Sequence, residues 1–392
     1  MRAVYQAIVI SIALLSIQNH TLATEQTMNQ NGKVIQYDFG HQYQIHSEIL
    51  SEDRQLLIYL PEAYKKSADN FPVVYILEGA THYQHATLAI EKMQTSGWMP
   101  ASIIVAITDN KGTNTRDYRL ESDNFLQFIN QEVQKFVTKN FRVNDYKTIF
   151  GHQYSGTFVL EAFIKNPEEF DNYIAANPYI RDDTIARFDN LLSKNKNLNQ
   201  ALYFSMGTVL DNGIYNVKPA EELAELLKQK APKSLQWKYK YLLQHGVHGS
   251  ANVSLYDAIA VNYADYLGSD IHNYQDFVDG NGMEGVEAAF QNRAKKYHIS
   301  AEVDIGTFMG LGFMFMDGGH PKEAVELISD AIKNRFPESI QLHRVLGRAY
   351  LKMSSYQQAF NAYKKMVMLA KQQNHPKLDS FENLLKQVEM KL

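Results

Sequence analysis

The sequence predicts an α/β fold: a doubly wound, mostly parallel sheet followed by a small all-α appendage. Three observations carry that prediction. Phe71-Pro-Val-Val-Tyr-Ile-Leu77 and Ser102-Ile-Ile-Val-Ala-Ile107 are continuous apolar, β-branched runs, the pattern of strands buried on both faces of a parallel sheet. Strand-like runs alternate with helical patterns as far as Tyr266, the order of a sheet covered by helices on both sides. Beyond it, Gly312 and Gly347, and Ala324 and Ala359, recur with one 35-residue shift, which marks two helical pairs.

At 392 residues, 45% hydrophobic and 21% charged, the chain has the composition of a globular protein of two domains, or of one large domain with an appendage. Residues 1–23 run from Arg2 through the apolar Ala7-Ile-Val-Ile-Ser-Ile-Ala-Leu-Leu15 to small residues at Thr21 and Ala23. That order is that of a secretory signal peptide, and the run is shorter than the ~20 residues a membrane span needs. A retained membrane anchor is the other reading of the same stretch. Its removal takes away one arginine and no acid, so the net charge of -4 becomes -5. A mildly acidic chain has no basic footprint for nucleic acid or anionic lipid. With no cysteine, disulfides, thiolate catalysis and cysteine-bound zinc are excluded. The expected location is secreted or periplasmic, with no stable membrane insertion and no cofactor.

After a polar leader, Tyr43 to Leu60 reads as two early strands joined by Ser51-Glu-Asp-Arg54, and Pro61 ends the second. The run 71–77 ends in Glu78-Gly-Ala-Thr81, where the chain must turn, and a helical segment follows over Ala86 to Gln94. After the run 102–107 and a loop to Tyr118, Phe125, Phe128, Ile129, Val133 and Phe136 fall on one helical face. Tyr173–Ala176, Ala201–Ser205 and Trp237–Leu243 read as further strands. Ala220–Lys228 reads as a helix, and a closing helix is expected near Ser254 to Tyr266.

Between these lies Tyr146-Lys-Thr-Ile-Phe-Gly-His-Gln-Tyr-Ser-Gly156. A strand ending at Phe150, a glycine turn and a helix from near Thr157 are the surroundings of a nucleophile elbow, G-x-S-x-G. Here Gln153 holds the nucleophile position and Ser155 replaces the last glycine. A glutamine amide donates and accepts hydrogen bonds but cannot be deprotonated into a nucleophile near neutral pH. Ser155 lies two residues on, in the first helical turn, and a motif centred on it would need glycines where Gln153 and Thr157 stand. Losing both the serine and a glycine leads one to expect a relaxed turn.

Past Gly268, Gly285–Tyr297 reads as a helix, and the 35-residue shift is close to the roughly 34-residue period of tetratricopeptide repeats. The second copy, Leu346-Gly-Arg-Ala-Tyr350 followed by Tyr356-Gln-Gln-Ala-Phe360, fits better. The expected division is a sheet domain over 34–268, a connecting helical segment over 269–300, and a repeat-like tail over 301–392 that can serve a protein partner. A generic helical tail is its plainer reading.

Five blocks together resemble a known family: Arg54-Gln-Leu-Leu-Ile-Tyr-Leu-Pro61, Phe71 to Gly79, Ile104-Val-Ala-Ile107 with Thr115-Arg-Asp117, Gly151-His-Gln-Tyr-Ser-Gly156, and Val247-His-Gly-Ser250. In this order they resemble the putative-esterase family, with esterase D and the enterochelin-type esterases. The resemblance implies an α/β-hydrolase fold and hydrolysis of carboxylic or thioester bonds by a Ser-Asp/Glu-His triad. It places His248 at the catalytic histidine, Gln153 at the nucleophile, Asp211 at the nearest position for the acid, and Gly79 and the Tyr154 backbone amide at the oxyanion hole. Asp211 beside Asn212-Gly213 is equally a good turn residue. His82 and His85 are three apart, as some metal ligands are, but no carboxylate or cysteine accompanies them, so no metal is expected. Asp279-Gly-Asn-Gly282 lacks the spaced acids of a calcium loop. Three functions follow: an esterase-derived protein that keeps a cleft for a small-molecule ester or related ligand but has lost acyl transfer; a weak hydrolase in which His248 activates water; and an interaction protein acting through its tail.

Overall fold

The apolar runs become the middle of an eight-stranded sheet in a computed structural model that describes residues 39–207, 217–267 and 271–392. The expected signal peptide and leader lie outside the described residues, as does Asp211. The strands are β1 (His41–Ser47), β2 (Glu52–Tyr59), β3 (Phe71–Ile76), β4 (Ile103–Ile107), β5 (Val143–His152), β6 (Asn172–Ala176), β7 (Ala201–Gly207) and β8 (Gln236–Leu242), in the order β1-β2-β4-β3-β5-β6-β7-β8. β1 with β2, and β2 with β4, are antiparallel; the other neighbours are parallel.

β3 shows why its run is apolar throughout. Phe71, Val73 and Tyr75 pack on one side with Phe125, Phe158 and Leu223, while Val74 and Ile76 pack on the other with Ala86, Ile90 and Leu255. Alternation of side chains across a strand makes both sets necessary, and full burial of each such side chain contributes about 1.5–3 kcal/mol. Pro72 has no N–H to give a central strand. The pairing with β5 shifts register between Phe71 and Val73, so that Pro72 is passed over.

The helices of the sheet domain are α1 (Glu62–Lys66), α2 (Gly79–Thr95), α3 (Ser122–Phe128), α4 (Gln134–Asn140), α5 (Tyr154–Lys165), α6 (Asp182–Lys194), α7 (Lys218–Lys230) and α8 (Val247–Asn262). The expected helix over 125–136 is longer, with a π-helical turn at Ile129–Val133 between α3 and α4. α6 was not expected. Its Phe188 and Leu192 are fully buried, so packing supplies what a short, charged sequence does not announce. α8 begins at Val247 rather than near Ser254, which puts His248 in the first turn of a helix instead of in a loop before it.

After the sheet domain come α9 (Tyr274–Asp279) and α10 (Gly282–Tyr297) in the connecting segment, then α11 (Ile305–Asp317), α12 (Pro321–Asn334), α13 (Ile340–Lys352), α14 (Tyr356–Gln372) and α15 (Leu378–Glu389) in the tail. The repeated small residues sit where helices approach. A Cβ on Gly347 would lie 2.3 Å from the Tyr363 ring, and one on Gly312 would lie 3.0 Å from Ile328 and Val345. The connecting segment is fastened to the sheet domain by Tyr297, which is 0% exposed and whose ring centroid lies 4.9 Å from Tyr146 and 5.5 Å from Tyr263. Asn144 Nδ2 donates to the carbonyls of Tyr297 and His298 at 3.1 and 2.8 Å, satisfying the end of α10.

Candidate active site at the β5–α5 turn

β5 runs to His152, two residues beyond the expected end, and α5 starts at once at Tyr154. Between them stands Gln153, with φ 55° and ψ −111°. A non-glycine residue there is strained, at a cost of about 1–3 kcal/mol. The turn has therefore not relaxed, contrary to the expectation drawn from its two substitutions. Its surroundings hold it. A Cβ on Gly151 would meet the Ser155 carbonyl oxygen at 2.3 Å, and one on Gly156 the Ala176 carbonyl oxygen at 2.7 Å. Gln153 N–H donates to the Ala176 carbonyl at 2.8 Å. Ser155 is 0% exposed; its hydroxyl donates to the His152 carbonyl at 2.9 Å and accepts from the His152 N–H at 2.8 Å. Ser155 closes the turn, with its hydroxyl fully buried.

The neighbouring strand β3 ends in a second turn. Glu78 takes a left-handed conformation, φ 52° and ψ 49°, and Gly79 opens α2. A Cβ on Gly79 would lie 2.9 Å from the Ile107 carbonyl carbon. Gly79 and Tyr154 thus each open a helix at the carboxyl end of adjacent parallel strands, where first-turn N–H groups have no partner within the helix. Glu78 N–H donates to the Tyr118 hydroxyl at 3.2 Å, and that hydroxyl also bonds Asp109. Burial, with the Asp109 carboxylate nearby, pushes the Glu78 carboxyl up to about 7 against the opposing effect of Ser155. Burial, more than its Tyr118 bond, sets Asp109, which is pushed up to about 6.

These turns, with His248, enclose a cavity of about 280 Å3 lined by Glu78, His82, His85, His152, Gln153 and His248 among others. The start of α8 is pinned to the turn: His152 Nε2 and Asn177 Nδ2 both reach the Val247 carbonyl, at 2.9 and 3.1 Å. Asn177 also accepts from the Gly207 N–H at 2.5 Å, so one buried side chain ties β6, β7 and α8 together. His248 is exposed, and no hydrogen bond from a described residue orients it. His82 Nδ1 and His85 Nε2 are 2.8 Å apart and hydrogen-bonded to each other, and the remaining nitrogen of each is buried without a partner. Burial, with His152 and His85 close by, pushes His82 down to about 3, and burial brings His152 down to about 4. At neutral pH both are uncharged imidazoles. Among the described residues no group of three or more His, Asp or Glu is arranged to hold a metal ion.

Gln153 and His248 are therefore brought to one cleft, Gly79 and Tyr154 follow directly on its Glu78 and Gln153, and Asp211 lies outside the described residues. Glu78, His82, His152 and Asn177 belong to the site without having been assigned to it. Only their positions just after strands, or in the turn itself, could have signalled them.

A family model described as "Putative esterase" matches residues 47–248, just over half of the chain. Ferri-bacillibactin esterase BesA of Bacillus subtilis (strain 168) is 22% identical over 164 residues, which cover 34% of this chain and 57% of that protein. The siderophore enterobactin esterase of Emericella nidulans is 31% identical over 150 residues, 30% of this chain and 48% of that one. The chain spans about half the length of the curated relatives it matches. Among solved structures, that of an uncharacterised protein from Capnocytophaga ochracea DSM 7271 is similar with a TM-score of 0.61 over 89% of this chain and 99% of that chain, at 15% identity. Sheet order and fold likeness are those of an α/β-hydrolase with a helical appendage.

Proposed function

Because the chain belongs to the putative-esterase family, we propose that it is an exported ligand-binding derivative of an ester hydrolase, which keeps the cleft and has lost acyl-enzyme chemistry. Gln153 carries the reading. It occupies the strained position from which this fold presents a nucleophile, and an amide there cannot form an acyl-enzyme. The hydroxyl of Ser155 is buried and committed to the turn, and that of Thr157 donates to the Gln153 carbonyl. The Gly79 and Tyr154 amides are assigned to an oxyanion-type site for a carbonyl oxygen. The ligand is a small-molecule ester, or the acid or alcohol it yields; the siderophore esters in the relatives' names are the first to try. Loss of the nucleophile in a serine hydrolase costs about a millionfold in turnover. Wild-type protein is expected to turn over short acyl esters negligibly and to take no fluorophosphonate label. Robust turnover with covalent labelling overturns the proposal.

A second reading is favoured by the presence of His248 in the same cavity: it takes a proton from water, whose oxygen attacks the ester carbonyl held beside Gln153; the tetrahedral adduct then breaks its bond to the alcohol oxygen, which leaves with the proton returned by His248, and the acid is released with no acyl-enzyme formed. Slow hydrolysis that survives His248→Ala unchanged eliminates it. The helices over 301–392 are assigned to a repeat-like scaffold for a protein partner, supported by the 35-residue recurrence of Gly312 and Gly347 at helix contacts. Partner binding that persists after their deletion removes that role.

A further inference from the structure

The net charge of -4 hides an uneven distribution. Between Glu338 and Asp379 the chain carries seven lysines and arginines and no acid. Three of them, Arg344, Arg348 and Lys352, lie four residues apart on α13 and so form one stripe along a single face of the helix. Arg348 and Lys352 are exposed and Arg344 is half-buried, with Gln341, also exposed, one turn before them. Leu342, Val345 and Ala349 of the same helix are buried in the tail core.

The stripe is unmatched. Lys322, Arg335 and Lys371 of the tail reach Glu326, Glu287 and Glu382, but Arg344, Arg348 and Lys352 reach no carboxylate among the described residues. Like charges four residues apart destabilise a helix, so the stripe costs α13 stability and gains nothing within the chain. Arg348 is also held in place. Its guanidinium lies over the Phe313 ring of α11, 5.1 Å from the centroid, and a stacked guanidinium still presents N–H donors at its edge. Burial pushes the Tyr363 hydroxyl of α14 up, and the charges of Arg348 and Arg344 oppose the rise, so both guanidinium groups stand near one hydroxyl. A cation already held in place loses less freedom when an anion binds.

We propose that the exposed face of α13 is a docking surface for an extended acidic peptide segment of a partner protein, whose carboxylates at alternate positions meet Arg344, Arg348 and Lys352. The spacing supports this class. Residues four apart on a helix are about 6 Å apart along its axis, and alternate residues of an extended chain point to one side about 6.6–6.8 Å apart. A helical ligand lays its apolar face into an apolar groove, whereas this face offers cations. A long polyanion is disfavoured, because the rest of a net-acidic chain repels it. The inference rests on the tail acting as a scaffold, and it names the face used and the chemistry of the partner segment.

The test is fluorescence anisotropy of the full chain with three labelled peptides: one with three glutamates at alternate positions, its glutamine counterpart, and one with the three glutamates at every third position. Saturable binding of the first is expected, with the second at least about fivefold and the third about threefold weaker. Arg348→Gln with Lys352→Gln, both at exposed positions, should melt like the wild type and weaken the first peptide about fivefold. Lys364→Gln with Lys365→Gln, exposed on α14, should change it less than about twofold. Reversing the charge, as Arg348→Glu with Lys352→Glu, should transfer binding to the lysine version of the peptide. No saturable binding of the first peptide overturns the inference. So does equal binding of either control peptide, equal weakening by the α14 pair, or full competition by phosphatidylglycerol vesicles or duplex DNA (a general polyanion surface). Self-association that the Arg348→Gln, Lys352→Gln protein loses also overturns it, since the occupant is then a second copy. Deletion of 301–392 decides whether the tail is a scaffold at all; these variants keep the tail and decide its face and partner, so the two failures are told apart.

Discussion

Asp117→Ala probes a charge network that holds one wall of the site. Arg54 and Asp117 are both 0% exposed and meet at 2.5 Å. Arg54 also donates to the Thr108 carbonyl at 3.2 Å, and the Phe125 and Phe128 rings lie 5.6 and 6.0 Å from its guanidinium carbon. Water cannot replace the lost carboxylate in such surroundings, and removing one partner of a buried ion pair costs about 3–5 kcal/mol. Glu52 still reaches Arg54 at 2.7 Å and is partly exposed, which places the expected loss at the lower end, about 3 kcal/mol. Arg116, which donates to the other Asp117 oxygen at 2.8 Å, loses an anchor at the same time, so the segment that supplies Tyr118 and Arg119 should loosen. Urea unfolding measures the loss. Replacing both partners, as Arg54→Met with Asp117→Leu, should cost less than Asp117→Ala alone, because no buried charge is stranded. A loss below about 1 kcal/mol for Asp117→Ala, the value of an exposed pair, refutes the reasoning, as does a double variant weaker than the single one.

Glu78→Gln has a pH signature. The folded state holds the Glu78 proton up to about pH 7, whereas the unfolded chain releases it near 4.5; the wild type therefore loses stability as pH rises between those values. The variant, free of that titration, should gain on the wild type from pH 5 to pH 8, and an unchanged gap contradicts the assignment. His82 and His152 act in the opposite sense: buried as neutral rings, they are stabilising above pH 6.5 and lose that contribution as pH falls toward 4 and then 3. His82→Asn should therefore flatten the acid limb of unfolding, and an acid limb of wild-type steepness contradicts that origin. Tyr297→Ala removes the ring that joins the connecting segment to the sheet domain and should cost about 3–5 kcal/mol, as large aromatic truncations do. Limited proteolysis should then cut between the two, and wild-type resistance shows that the docking lies elsewhere.

Much of the sheet was legible because burial on both faces forces continuous apolar runs; Val73 and Val74 serve opposite cores and both must be apolar. The turn was legible from Gly151, Gln153 and Gly156, whose spacing reflects close backbone contacts. Its retained strain was not, because two substitutions say nothing of how Ser155 re-bonds. The Arg54–Asp117 pair joins two of the family-like blocks across the fold, a link that no local pattern reveals. His82 and His85 had a metal-like spacing, yet their nitrogens face each other. Only their rotamers in the packed cleft decide that. Asn177 was silent as a single polar residue after a strand, although its bonds to Val247 and Gly207 tie three elements together.

The claim that the esterase frame survives without its nucleophile is tested most directly by fluorophosphonate labelling of Gln153→Ser beside the wild type and Gln153→Ala. Gln153 already holds the strained turn conformation, and His248 lines the same cavity. The account predicts label on Gln153→Ser alone, carried by the introduced hydroxyl, with ester turnover appearing in the same protein. Label on the wild type, or none on Gln153→Ser in a protein that melts normally, contradicts it.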